Sequence, residues 1–154
     1  MCNLKISLVL FFITSTLVHC QSKKTSNEEM ITSFFNTVYK SNIPSDDLYK
    51  QYFFEDSNAI EIRDRIMKLF RKHIVHIKSK KNYLLNTKSE FEVENYSQSK
   101  RTDLVKFIEN DDKENIYFLT VDNKIEFYVL LKQNKIYSFE YVKKGGEGLF
   151  IAYY

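Results

Sequence analysis

The sequence predicts an α+β protein, with three helices followed by an antiparallel meander. Three observations carry that expectation. Apolar residues recur at helical spacing as far as Ile77. From Phe91 onward the period shortens to that of strands. The pairs "DN" and "QN" stand between apolar runs, the pattern of tight hairpins. Helices packed on one side of such a sheet make a single α+β domain.

The chain opens on a targeting segment rather than on the fold. "MCNLK" supplies one positive charge, and "ISLVLFFITSTLV" then runs apolar from Ile6 to Val18. A spanning helix needs ~20 apolar residues, and this run is shorter, as a secretory core is. Residues 1–20 therefore read as a signal peptide. "LVHC" resembles a bacterial lipobox, which would make Cys20 the acylated first residue of a lipoprotein. His19 is bulkier than the usual residue there, so an ordinary signal peptidase site stays open, with Gln21 as the mature start. Both readings export the protein, to the cell envelope (lipid-anchored membrane or periplasm) or as a secreted chain. Cys2 departs with the leader, which leaves no thiol pair for a disulfide or a redox centre.

Residues 21–25 read as a polar tether, and residues 26–154 as one domain. "SNEE" is a capping-box pattern that starts the first helix at Ser26. Its buried stripe is Met30, Ile31, Phe34, Phe35, Val38 and Tyr39, and it runs to about Lys40. "SNIPSDD" breaks it, and Ser45 caps a short helix carrying Leu48, Tyr49, Tyr52 and Phe53. A third helix is expected from Asn58, with Glu61 as capping partner and Ile60, Met67, Phe70, Ile74 and Ile77 buried. "EFEVENY" alternates as a half-buried strand should, while "DLVKFIEN" suits strand or short helix equally. "ENIYFLTV", "KIEFYVLL", "KIYSFEYV" and "LFIAYY" complete the meander, the last preceded by a glycine turn in "KKGGEG".

The order of helices and hairpins over residues 26–154 resembles the nuclear-transport-factor-2-like (cystatin-like cone) fold of small exported bacterial proteins. "NKIYSFEYVKKGG" is similar to the closing strands of flavobacterial lipoproteins of that type. The resemblance implies a curved sheet around a helix, a pocket at the open end, and dimerisation through the sheet.

Two-residue turns place residues of fixed odd sum opposite each other on one face. The face expected against the helices holds Ile116, Phe118, Ile125, Phe127, Val129, Leu131, Ile136, Ser138, Glu140 and Val142. The other holds Tyr117, Leu119, Tyr128, Leu130, Tyr137, Phe139 and Tyr141, with Glu126. Tyr128, Tyr137, Phe139 and Tyr141 are candidates for a partner or homodimer face, since large exposed apolar patches mark contacts. Tyrosine also tiles exposed sheets without any partner. Ser138 and Glu140 are the polar members of the inward face, and hence candidate pocket residues. A buried carboxylate there would be raised in pKa and suited to general-base work.

No catalytic motif appears: there is no nucleophile elbow, phosphate loop, dinucleotide fingerprint or zinc signature. His73 and His76 share a helix face, but without the third ligand a zinc site needs. No metal or cofactor is expected. The formal net charge of +3 is too small to argue for nucleic acid. The basic run from Lys68 to Lys81 reads as a solvated helix face and an offset to its C-terminal dipole. The leading functional reading is a non-enzymatic, exported, membrane-anchored protein that binds a partner or small ligand. A small pocket enzyme of isomerase or dehydratase type and a secreted inhibitor or immunity-type protein are the alternatives.

Overall fold

Helix α1 (Ser26–Lys40) is the best-defined start in the chain. In this computed structural model, residues 25–108 and 110–152 are described, the side chains at 58, 60, 110 and 111 excepted. The expected signal peptide with Cys20, residues 21–24 of the expected tether and the expected burial of Ile60 lie outside them. Thr25 caps α1: its hydroxyl accepts from the Glu28 amide at 3.3 Å, and the Glu28 carboxylate accepts from the Thr25 amide at 2.9 Å. The capping box thus sits one residue before the expected Ser26–Glu29 pair. Ile31, Phe34, Phe35, Val38 and Tyr39 form the buried stripe.

Helix α2 (Ser45–Tyr52) follows Pro44, which occupies the cap position without a side-chain hydrogen bond, in place of Ser45. Asp46 and Asp47 in its first turn complement the positive end of the helix. The third helix begins later than expected. Ser57–Ile62 forms a 3-10 turn, and α3 runs from Arg63 to Lys80. Ile66, Met67, Phe70, Ile74 and Ile77 are its buried face. Arg71 clasps α3 to α2 by forked bonds to the two Asp46 oxygens at 2.7 and 2.5 Å. A short 3-10 turn, Asn82–Leu85, closes the helical half.

The sheet is an antiparallel meander in the order β1 (Glu92–Asn95), β2 (Ile116–Val121), β3 (Lys124–Lys132), β4 (Lys135–Ser138). β5 (Tyr141–Lys144) and β6 (Glu147–Phe150) form a separate two-stranded hairpin. The α+β class is as the sequence predicts. "KIYSFEYV" is two strands rather than one, broken between Ser138 and Tyr141. Residues 103–108 of "DLVKFIEN" form neither strand nor helix, Phe107 making an isolated parallel bridge to Gly148, and Asn110 opens a 3-10 turn, Asn110–Asn115.

Both hairpin turns of the main sheet have two residues, and each adopts the left-handed conformation that a primed turn needs. The angles φ are 50° and 62° at Asp122–Asn123 and 50° and 58° at Gln133–Asn134. The register nevertheless shifts inside the strands. Thr120 faces Ile125 whereas Leu119 faces Phe127, so Glu126 is an extra residue in β3. Leu131 faces Ile136 whereas Leu130 faces Ser138, so Tyr137 is an extra residue in β4. Each bulge exchanges the faces of everything beyond it.

The expected faces are corrected in part. Phe127, Val129, Leu131 and Ile136 lie with the helices in the main core, as expected, whereas Tyr117, Leu119 and Phe139 join them there against expectation, with Val121. Ile116, Phe118, Tyr128 and Leu130 face the other way, into a second core with Phe107 and Phe150, against which Ile125, Tyr137 and Tyr141 pack. The far face of the sheet is covered by the chain itself, by Leu104–Phe107 and the β5–β6 hairpin. Gly148 permits the closest approach in that cover. A Cβ there would stand 2.6 Å from the Phe107 ring, which stacks on Phe150 with centroids 4.4 Å apart.

Candidate functional site

Glu126 owes its position to the bulge. An unshifted strand would have aimed its carboxylate away from the helices, whereas it and Phe127 both serve the α3 side. The Glu126 side chain is 1% exposed and bonds three donors. Lys81 Nζ donates to Oε2 at 2.5 Å, Tyr83 Oη donates to the same oxygen at 2.5 Å, and Lys124 Nζ stands 2.9 Å from Oε1. Lys81 also lies over the Phe127 ring, 4.9 Å from its centroid. Burial pushes the Glu126 carboxyl up, but the bonds from Lys81, Tyr83 and Lys124 outweigh it and hold the group below its ordinary value. Burial also pushes the neighbouring Tyr83 phenol up, as does its bond to Glu126.

This cluster forms one wall of a cleft of about 520 Å³. The end of α3 contributes His76, Ile77, Lys80 and Lys81 to it, and the β3 bulge contributes Glu126 and Phe127. The other side is the passage from Phe139 through Lys143, with Ile151. The volume lies within the range of small-ligand sites, roughly 300–1,000 Å³. The floor is aromatic, from Phe127 and Phe139, and the outer lip is aliphatic, with Val142 46% and Ile151 37% exposed.

The two candidate pocket residues part company here. Glu140 lines the cleft, and its Oε2 lies 3.2 Å from Nδ1 of His73. Ser138 is fully buried, and its hydroxyl stands 3.0 Å from the Glu140 carbonyl oxygen and 2.5 Å from that of Ile151. The Glu140 amide also donates to it, at 3.3 Å. Ser138 thereby ties the break between β4 and β5 to the end of β6, and it presents nothing to the cleft.

The four aromatic residues expected on one partner face are likewise divided. Phe139 lies in the main core, 2% exposed, against Phe34, Phe35 and Phe53 at centroid distances of 5.7, 6.3 and 5.8 Å. Tyr128 is 4% exposed in the second core, where its hydroxyl accepts from the Val105 amide at 2.9 Å. Tyr141 is half-buried beside it, in edge contact with Phe107 and Tyr128. Tyr137 is half-buried near Phe54, with Lys132 over both rings.

Sequence reasoning missed Lys80, Lys81, Tyr83, Lys124, Glu126 and Lys143 as members of one site. A lone glutamate inside the apolar run "KIEFYVLL" was the available signal, since a buried carboxylate calls for cations nearby. Among the described residues, no group of three or more His, Cys, Asp or Glu side chains is placed to hold a metal ion. Compared with known proteins, the chain matches no family model, no curated protein and no solved structure.

Proposed function

We propose that this chain is an exported, envelope-anchored, non-enzymatic binding protein whose cleft between α3 and β5 receives a small ligand. The observation that carries this reading is the contrast between the cleft's floor and its acids. The floor and lip are apolar, while both carboxylates on the walls are engaged, Glu126 by three donors and Glu140 by His73. A general base needs a carboxylate with its proton-accepting oxygens turned to substrate. Glu126 is tied to three protein donors and Glu140 meets His73 through one oxygen, an arrangement better suited to holding a shape than to moving protons.

Export rests on the apolar run Ile6–Val18 and on Cys20, and the capped start of α1 at Thr25 follows closely after them. Among the described residues, no helix is long and apolar enough to cross a membrane. A lipid on Cys20 would supply the attachment, which takes a second contact to be durable.

An uncharged fluorescent probe tests the binding reading. 1-N-phenylnaphthylamine, titrated into the purified protein and followed by amide NMR shifts, should move Phe127, Phe139, Val142 and Ile151 together. Val142→Asp, on the exposed lip, should abolish those shifts. Shifts scattered over the surface, or none, would reject the cleft as a binding site.

A further inference from the structure

We infer that the cleft is selective for a single-chain amphiphile with an anionic head, a carboxylate on an aliphatic chain; this rests on the cleft being the binding site. The inference comes from what remains of the cleft's charge after its internal pairs are counted. Six ionisable side chains line it besides Tyr128 and Tyr141: His76, Lys80, Lys81, Lys143, Glu126 and Glu140. Lys81 is committed to Glu126, which Lys124 approaches from outside the cleft. Glu140 has one oxygen, Oε2, 3.2 Å from Nδ1 of His73 on α3. Lys80 and Lys143 are exposed and form no ion pair among the described residues, and His76, one turn before Lys80, forms none either.

The lysines without an ion pair stand on opposite walls. Lys80 belongs to the last turn of α3 and Lys143 to β5. The partial negative charge at the end of α3 would oppose an anion, and Lys78 and Lys80 in that turn offset it. Of the two acids that a cationic ligand would meet here, Glu126 already has three donors, and Glu140 has one oxygen in contact with His73.

The apolar half of the cleft argues for a chain rather than a bare anion. Phe127 and Phe139 floor it, and Val142 and Ile151 form a lip that is left to solvent. Val142 pairs with Leu149 across the β5–β6 hairpin, and Leu149 is 37% exposed, so the aliphatic surface continues outward from the lip. An inorganic anion would leave that surface wet. A carboxylate held between Lys80 and Lys143, with its chain over Val142 and Ile151, uses both halves.

Laurate below its micellar concentration, titrated by calorimetry, tests the assignment, with dodecyltrimethylammonium as the cation of equal chain length. One laurate should bind per chain, displacing 1-N-phenylnaphthylamine, and at least tenfold more tightly than the ammonium. Lys80→Gln with Lys143→Gln should weaken laurate tenfold or more while leaving the uncharged probe in place, as expected for lost charge-assisted bonds. Both lysines are exposed, so thermal melts of this variant should match the parent. Equal affinity for the two amphiphiles, or laurate binding indifferent to the double variant, overturns the inference. So does preferential binding of an acidic peptide along β5. If the uncharged probe occupies the cleft and laurate does not displace it, the charge selectivity fails and the binding site stands. If the probe does not enter the cleft, both fail.

Discussion

Lys81 Nζ stands 2.5 Å from Oε2 of Glu126, and this contact joins the end of α3 to the bulge in β3. The carboxylate is 1% exposed and the lysine 21%, so the pair is anchored on its buried acid. Removing one partner of a buried pair leaves a charge without compensation, at a cost of about 3–5 kcal/mol when no other partner remains. Tyr83 and Lys124 remain here, which reduces the cost. Lys81→Met should therefore lower stability by about 1–3 kcal/mol, the range for a lost hydrogen bond to a charged group. Urea unfolding at neutral pH measures it.

The same carboxylate should make stability fall in acid. Its folded pKa lies below the ordinary value of 4.5, so it stabilises the fold fully above that value. That contribution disappears as pH falls through the lowered folded pKa, because the unfolded chain takes up the proton first. Glu126→Gln removes the titration. Between pH 7 and pH 3 the parent should lose more of its urea midpoint than the glutamine variant does. Parallel losses in the two proteins would assign the acid sensitivity elsewhere, for example to Asp46 and Asp103, which Arg71 and Arg101 hold low by hydrogen bonds.

The turn at Gln133–Asn134 offers a stabilising change. Both residues sit at positive φ, 50° and 58°, where side chains other than glycine and asparagine are strained. Replacing the pair by Asn-Gly, the preferred primed-turn sequence, should raise stability by about 0.5–1 kcal/mol. Asn134→Ala should lower it by about 1 kcal/mol. Thermal melts of the two variants should bracket the parent.

Much of the fold was legible because it is written locally. The stripe from Ile31 to Tyr39 has the spacing of one helix face, and "DN" and "QN" have the chemistry of primed turns. The bulges were not legible, and they decide the faces. Nothing in "KIEFYVLL" marks Glu126 as an extra residue when the strand is read alone; its reason is Lys81, 45 residues away. Tyr117 and Leu119 were therefore assigned to the wrong side. One signal did point to two cores: "IYFLTV" is apolar almost without a break, as a strand buried on both faces is. The candidate site was mostly hidden, because it is assembled from chain segments that meet only through the sheet register.

Attachment to the envelope is tested at Cys20, which lies outside the described residues. If it is acylated, Cys20→Ser should release the protein from the membrane fraction and abolish palmitate labelling. A mature chain starting at an unmodified Gln21 would remove the lipid anchor and leave export in place.

The aromatic residues Phe127, Phe139 and Tyr141 should separate by energy. Phe127 stacks on Phe35 with centroids 4.5 Å apart, and Phe139 meets the same Phe35 edge-on, in the main core. Both rings pack on α1 beneath the cleft floor, so truncation removes buried contacts and leaves a void there. Phe127→Ala and Phe139→Ala should each cost about 3–5 kcal/mol. Phe139 is the more deeply buried, 2% against 6% exposed, and its loss should be at least as large. Tyr141 is half-buried at the edge of the second core, beside Phe107 and Phe150, and Tyr141→Ala should cost less than either. Equilibrium denaturation of the three variants ranks them. A loss at Phe139 well below that at Phe127 would return Phe139 to the outer face and reject the bulge at Tyr137, whose extra residue is what turns Phe139 inward.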